Sequence, residues 1–345
     1  MQERFEYLDV LRGFAMLMVV LGHLVAGSDG WSVSYWVNSF HLPLFLFVGG
    51  FLAYRTTNIR NGLWAFIYSL ITKRALSLLI PYLLWSCILF SFIGGDYNID
   101  LLANLKKYII DPPTMVLWFL YTYFFLNILY CIYLAAVIYL GKNHIVKDTI
   151  VIVILFALSF YAQKHLPVIP RNLAVFFPYY FLGVLFSKYL FIEELLNRKY
   201  LIVLCALAFG FTSLMYGRLD NGAINLVFKT VAGCSGSLVF YYISKNLKLN
   251  AGVESILISF GKNSIVIYIL HFTMLFSIYR FFEHSFMTES QFWLFISGLI
   301  VAVVISYCCV ILGNLLKTIP FFDGLLFGRW KFKKSQPKSA KSTGY

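Results

Sequence analysis

The sequence has 345 residues, of which 60% are hydrophobic and 12% charged, and its net charge at pH 7 is +13. Soluble domains hold roughly 45–50% apolar and about 25% charged residues, so this composition excludes an ordinary soluble domain. Apolar runs of about 20 residues recur along the chain without the polar–apolar alternation of membrane β-strands. An all-α polytopic membrane protein is therefore predicted.

Ten membrane-spanning helices are predicted within one membrane domain, residues 5–316. They lie near 8–26, 37–54, 76–93, 116–140, 149–162, 173–191, 200–216, 222–243, 263–283 and 291–316. The fifth is short for a span. The loop 55–75 contains the apolar run GLWAFIYSLIT and is a candidate interfacial helix that runs into the third span.

Lysine and arginine are divided unevenly between the two sides of this predicted bundle. The N-terminal segment, alternate loops and the C-terminal tail carry 19 of them, and the other loops carry 5. By the positive-inside rule both termini face the cytoplasm. The basic excess therefore indicates orientation and contact with anionic membrane lipids rather than nucleic-acid binding. Residues 317–345 are predicted as a basic cytoplasmic tail that is partly disordered.

The opening helix carries two ionisable residues on one face. Arg12 and His23 are eleven positions apart, which is about three turns, so they share a face with an offset of about 20°. An ionisable residue inside a span is by default a functional candidate. Asp9, one turn before Arg12, is counted with them because it is placed to pair with Arg12. The alternatives are that Arg12 reaches the headgroups and that His23 is a packing residue.

Two motifs resemble those of a known family. LDVLRGFAMLMVVLGH at 8–23 is similar to the N-terminal signature of the acyltransferase-3 family, in which an arginine is followed after ten residues by a histidine. NSFHLPLFLFVGGFLAY at 38–54 resembles the motif of that family's second span. Weaker matches follow in family order at 73–82, 117–124, 179–187 and 265–272. The chain looks most like stand-alone members of the fucose 4-O-acetylase-like type, without the extra periplasmic domain of some relatives.

This resemblance implies transfer of an acyl group, usually acetyl, from cytoplasmic acyl-CoA to a hydroxyl of a cell-surface glycan or its lipid-linked precursor. It also implies a bacterial inner (plasma) membrane protein with acetyl-CoA or another acyl-CoA as donor substrate and no permanently bound cofactor. The family's essential arginine and histidine map onto Arg12 and His23. Its Arg-x-x-Arg motif maps onto Arg74 and Ser77, so the second arginine is absent, and Lys73 is its candidate replacement.

The expected chemistry assigns donor and acceptor residues. Acyl transfer needs a base for the hydroxyl proton, and His23 suits this near pH 7. The phosphates of CoA call for cations, for which Arg12, Lys73 and Arg74 are candidates. Lys229 is a further donor-binding candidate, because it lies in mid-span and an unpaired cation there is costly.

Four residues are candidates for acceptor binding. His41 is predicted at a depth similar to His23, and His271 lies in the ninth span; for both, packing is the alternative. Trp31 and Trp36 are predicted near the first outer loop, where they either stack on sugar rings or belong to the interfacial aromatic belt.

Two other interpretations and one exclusion complete the predictions. A transporter or flippase for an anionic or lipid-linked sugar would use Arg12 and Lys229 as counter-charges and would need no acyl-CoA. A membrane-embedded scaffold would give no reason for the shared arginine and histidine face. The six cysteines all fall within predicted spans, without spacing suited to metal binding, so no metal site is predicted.

Overall fold

A computed structural model describes residues 5–25, 33–92, 117–139, 145–218, 221–282 and 290–330. These residues are almost entirely helical, with no strand among them. The helices are α1 Glu6–Leu24, α2 Val33–Asn38, α3 His41–Arg55, α4 Leu63–Arg74, α5 Ile80–Phe92, α6 Trp118–Tyr139, α7 Ile145–His165, α8 Val168–Lys188, α9 Leu190–Leu196, α10 Lys199–Met215, α11 Gly222–Asn246, α12 Ala251–Lys262, α13 Ser264–Phe282, α14 Gln291–Leu316 and α15 Pro320–Phe327.

The described helices include eight that are long and apolar enough to cross a membrane. Two further pairs qualify if each is counted as one bent span: α9 with α10, bent by 81°, and α12 with α13, bent by 86°. The described chain therefore has eight to ten candidate spans. The predicted all-α, multi-pass membrane architecture is confirmed.

One predicted boundary changes: the fifth span is not short, because α7 covers Ile145–His165. The predicted helix within 55–75 does run into the third span, since α4, a π-helical turn at Ala75–Leu79 and α5 form one uninterrupted helical stretch from Leu63 to Phe92. A π turn adds one residue to a helical turn and is frequent at functional sites. Here it comes directly after Arg74.

Helix α1 packs against α12 through glycine. A Cβ atom on Gly13 would strike the carbonyl of Leu257, and one on Gly261 would strike the carbonyl of Asp9. The missing side chains let the two backbones touch, as small residues do between membrane helices. This contact fixes the depth at which Arg12 enters the bundle.

A second glycine pair joins α3 to α8. A Cβ on Gly50 would strike the carbonyl of Tyr180, and one on Gly183 would strike that of Phe47. The two contacts are reciprocal, so both backbones approach at the same crossing. They hold α3 in the centre of the bundle, where most of its residues are buried.

We call the end of the bundle at which α1 begins the arginine end, and the end at which α1 finishes the histidine end. Helix α11 runs in the opposite direction to α1, since Tyr241 near its end packs on Tyr7 at the start of α1, with ring centres 5.8 Å apart. The end of α3 also belongs to the arginine end, because Arg55 lies over the ring of Phe5 at 5.2 Å.

Candidate active site

Arg12 is held inside the arginine end by two contacts. Its Nη2 donates to the Asp9 carboxylate at 3.2 Å and to the carbonyl oxygen of Gly261 at 2.8 Å. The second bond exists because Gly261 brings the α12 backbone against α1. Arg12 therefore points between helices and not along the surface towards the headgroups.

Arg12 and Arg74 line the same cavity, which has a volume of about 100 Å³. Arg74 comes from the end of α4, and its guanidinium lies 5.9 Å from the ring centre of Tyr123 on α6. The start of α13 supplies Ser264 and Tyr268 to the opposite wall. Two cations from distant parts of the sequence thus face one internal space, which suits an anionic group.

Lys73 and Lys229 do not line this cavity. Lys73 is exposed next to Arg74. The ammonium of Lys229 lies 5.7 Å from the ring centre of Tyr216. Gly233, one turn after Lys229, packs on Pro43 near the start of α3, so Lys229 belongs to the histidine end. The donor-binding roles of both lysines stay predictions, and the geometry groups Lys229 with His41 instead.

His23 and His271 meet at the histidine end. Their ring centres are 5.3 Å apart, and the planes are inclined by 38°. The Phe272 ring stands at a right angle to His23 at 6.4 Å. His23 is exposed, whereas His271 is only 1% exposed. The pair therefore combines one accessible imidazole with one inside the protein.

The hydrogen bonding of His271 fixes its tautomer. Its Nδ1 lies 2.9 Å from the carbonyl oxygen of Ile267, which accepts only, so Nδ1 carries the proton. Nε2 then holds a lone pair, and this buried atom has no hydrogen-bond partner among the described residues. A buried acceptor without a partner is costly, so it marks a place where a donor belongs.

His41 has a similar arrangement. It is 5% exposed, and its Nδ1 donates to the carbonyl oxygen of Val37 at 2.7 Å. A Cβ on Gly22, the residue before His23, would lie 4.0 Å from the His41 ring, so the absence of a side chain there leaves room between the helices. His41 thus lies beside the histidine pair with its Nε2 directed away from its own backbone bond.

The two tryptophans differ in what can be said of them. Trp36 is half-buried and packs its ring edge-on against Phe40 at 5.0 Å and Phe295 at 5.9 Å. These contacts hold Trp36 among aromatic side chains of the bundle, and its role in acceptor binding stays a prediction. Trp31 lies outside the described residues.

The cavity at the arginine end does not reach His23. It ends at Tyr268, whose ring lies 5.9 Å from that of His271. Tyr268 is 5% exposed and packs on Phe119, another lining residue, at 5.7 Å. Among the described residues, Tyr268 therefore lies between the lining of the arginine cavity and the histidine pair.

A family model described as an acyltransferase domain matches residues 5–311, which is nearly the whole chain. The chain belongs to this family, acyltransferase-3. Searches of curated proteins and of solved structures find no match. The matched range includes α1 to α13 and most of α14, so the arginine cavity and the histidine pair both lie within the acyltransferase-3 domain.

In this acyltransferase-3 chain, sequence reasoning missed several site residues. Tyr123 and Tyr268 shape the arginine cavity, and neither carries a charge that would single it out. The π turn at Ala75–Leu79 was also missed, because nothing in the motif at 73–82 indicates it. The matches LWFLYTYF and IVIYILHF did include both tyrosines, so the motif positions were the available signal.

A buried ion pair was also missed. Lys188 donates to Asp148 at 2.6 Å, with 4% and 6% of the two side chains exposed. Tyr133 and Tyr189 each donate a hydroxyl to the same carboxylate. The pair is satisfied by its neighbours, so it joins α7 to α8 and leaves no group free for chemistry.

Proposed function

We propose that this acyltransferase-3 protein is an O-acetyltransferase of the fucose 4-O-acetylase-like type, which moves an acetyl group from acyl-CoA to a sugar hydroxyl. The acceptor is a cell-surface glycan or its lipid-linked precursor. Membership of the family supports acyl transfer. The observation that carries the rest is the shared cavity of Arg12 and Arg74, because two guanidinium groups suit the phosphates of a CoA donor.

The arginine end is proposed to face the cytoplasm of a bacterial cell. It contains the start of α1 and the end of α3, which belong to the side that holds most lysines and arginines. This orientation gives Arg12 and Arg74 access to acyl-CoA. It places His23 and His41 towards the outer half of the membrane, where the glycan acceptor enters.

His23 is proposed as the catalytic base. As the acceptor hydroxyl oxygen attacks the thioester carbonyl, His23 takes the hydroxyl proton. The C–S bond then breaks, and the departing CoA thiolate takes that proton from the imidazolium to become the free thiol. Atoms and charge balance, and the enzyme returns to its starting state.

His271 is proposed as a positioning residue for His23. Its Nε2 has no partner among the described residues, and a small rotation of the neighbouring His23 ring during catalysis would let it accept an N–H of His23, which would direct the other nitrogen of His23 to the acceptor. Arg12 and His23 are about 16 Å apart along α1. An extended pantetheine arm spans this distance once the Tyr268 ring turns aside. Lys229 and His41 then remain to contact the acceptor.

Incubation of membranes with labelled acetyl-CoA tests this function. We expect label on extracted glycan, with loss of one ester per repeat in cells without the protein. His23→Ala should abolish labelling while the protein stays folded in the membrane. His165→Ala is the matched control, since His165 is exposed and stacks only on Tyr161 at 4.6 Å. Full labelling with His23→Ala, or none with the unaltered protein under any acceptor supply, would overturn the proposal.

A further inference from the structure

The π turn after Arg74 leaves one backbone carbonyl without a partner in its own helix. At its end, the Ile80 N–H donates to the carbonyl of Ala75, five residues back. The next such bond would run from residue 81 to Leu76. Residue 81 is proline, which has no N–H. The carbonyl of Leu76 therefore needs a donor from elsewhere.

That donor comes from the C-terminal segment. The indole N–H of Trp330 donates to the Leu76 carbonyl at 3.0 Å. Gly328, just before, has a positive φ of 65°, and a side chain there would collide with the backbone of Ser77. We call residues 320–330 the strap. Its glycine lets the chain approach the π turn closely, and its tryptophan completes the missing bond.

The strap also holds the opposite wall of the arginine cavity. Arg329 donates to the Asp323 carboxylate at 2.6 Å, to the side-chain oxygen of Asn263 at 3.1 Å and to the carbonyl of Gly313 at 2.9 Å. Asn263 is the bend between α12 and α13. Next to it, Ser264 lines the cavity.

Two adjacent residues of the strap thus bind the segments next to both arginines of the cavity. Trp330 binds the turn that follows Arg74. Arg329 binds the bend that follows Gly261, whose carbonyl accepts from Arg12. A change from π to α geometry removes one residue from the turn, which rotates Arg74 by about 100° relative to α5. Such a rotation would take Arg74 out of the cavity that it shares with Arg12.

We propose that the strap is a positioning element of the donor site, in which Trp330 maintains the π turn that directs Arg74 at the donor. This inference rests on the proposed function, because the donor is acyl-CoA. It assigns to the residues after the last span a role in substrate affinity. The alternative is that the strap only contributes to stability.

Two tryptophans allow these possibilities to be separated. Trp85 also bonds the strap, through its N–H to the carbonyl of Leu326 at 2.8 Å, but it does so from α5 beyond the π turn. Trp330→Phe should raise the KM for acetyl-CoA about three- to tenfold, the effect of one lost hydrogen bond, with kcat within twofold. Trp85→Phe loses a bond of the same kind, yet it should leave this KM within twofold.

Pro81→Ala gives a second variant that does not depend on weakening the strap. It restores an N–H at residue 81, which in α geometry donates to the carbonyl of Ser77; Ile80 can then take the Leu76 carbonyl from Trp330, and the turn relaxes towards α geometry. We expect weaker coenzyme A binding, measured directly on purified protein, without a lower melting temperature. A purely structural strap predicts unchanged binding in this variant.

The outcomes test the donor site and the role of the strap separately. If Arg74→Gln does not weaken coenzyme A binding, the donor site of the proposed function is wrong. If Arg74→Gln weakens binding but Trp330→Phe and Pro81→Ala do not, the donor site stands and the strap inference is wrong. Equal changes in KM for the Trp330 and Trp85 variants would likewise reduce the strap to a stabilising element.

Discussion

The imidazoles of His23 and His271 face each other at 5.3 Å, although they come from the first and the penultimate long stretches of the chain. The buried ring donates through Nδ1 to its own helix, and its Nε2 is left without a partner among the described residues. The pair therefore has a direction: the buried imidazole can accept, and the accessible one can donate to it.

Replacing His271 should reduce catalysis without preventing donor binding. His271→Phe keeps a ring of similar shape but removes the Nε2 acceptor, so His23 loses the partner that orients it. We expect kcat to fall at least tenfold. This loss is smaller than the 10²–10⁴-fold that a general base itself contributes, because His23 is still present. The KM for acetyl-CoA should change little. A kcat equal to that of the unaltered protein, measured with labelled acetyl-CoA, would show that His23 needs no partner.

Arg74 and Lys73 are neighbours whose roles the geometry separates. Arg74→Gln removes a cation from the cavity, so the KM for acetyl-CoA should rise about tenfold or more, as for a lost charged hydrogen bond. Lys73→Gln removes the same charge from an exposed position and should raise it less than threefold. Equal effects in steady-state assays would mean that overall charge, and not the cavity, attracts the donor.

The glycine contact between α1 and α12 should be sensitive to one methyl group. Gly261→Ala places a Cβ against the carbonyl of Asp9, which forces the helices apart and lengthens the bond from Arg12 to residue 261. We expect a loss of about 1–3 kcal/mol in stability, together with weaker donor binding.

Gly210 provides the control for that substitution. It lies within α10, and a Cβ there meets nothing within 4 Å. Gly210→Ala should leave stability unchanged or raise it by about 0.5–1 kcal/mol, because alanine favours the helix. Thermal unfolding in detergent measures both variants, and an equal response would contradict the close-contact explanation.

Breaking the ion pair between Asp148 and Lys188 should destabilise the fold more than it impairs chemistry. Asp148→Asn leaves a buried ammonium without its counter-ion, at a cost of about 3–5 kcal/mol. Glu193→Gln breaks the pair with Lys245, which is more exposed, and should cost less. Melting temperatures rank the two, and the reverse ranking would show that the Asp148 site is open to water.

Hydropathy was sufficient to predict the helical architecture and most span positions, because a chain that crosses a bilayer must place long apolar runs there. The spacing of Arg12 and His23 likewise predicted a common helix face. The meeting of His23 with His271 could not be predicted, since it depends on the 86° bend that aims α13 at α1. The position of Lys229 beside the start of α3 could not be predicted either, because it depends on the packing of α11 on α3.

The sequence after residue 317 contains helix signals that the tail prediction did not use. Pro320 at the start and Gly328 after the end of α15 are ordinary signals of a short helix. Composition concealed them, because the basic residues that follow led to the prediction of a partly disordered tail over 317–345. No local rule could show that Trp330 binds the carbonyl of Leu76. The two residues are far apart in sequence, and the carbonyl needs this donor only because Pro81 has no N–H.

The Tyr268 ring between the arginine cavity and the histidine pair has a consequence for the cell as well as for catalysis. The proposed entry of one substrate from each side would make proton leakage through the protein a hazard. In that case the buried Tyr268 phenol, 5% exposed, would limit the leak, and vesicles that contain the resting protein should hold a pH gradient.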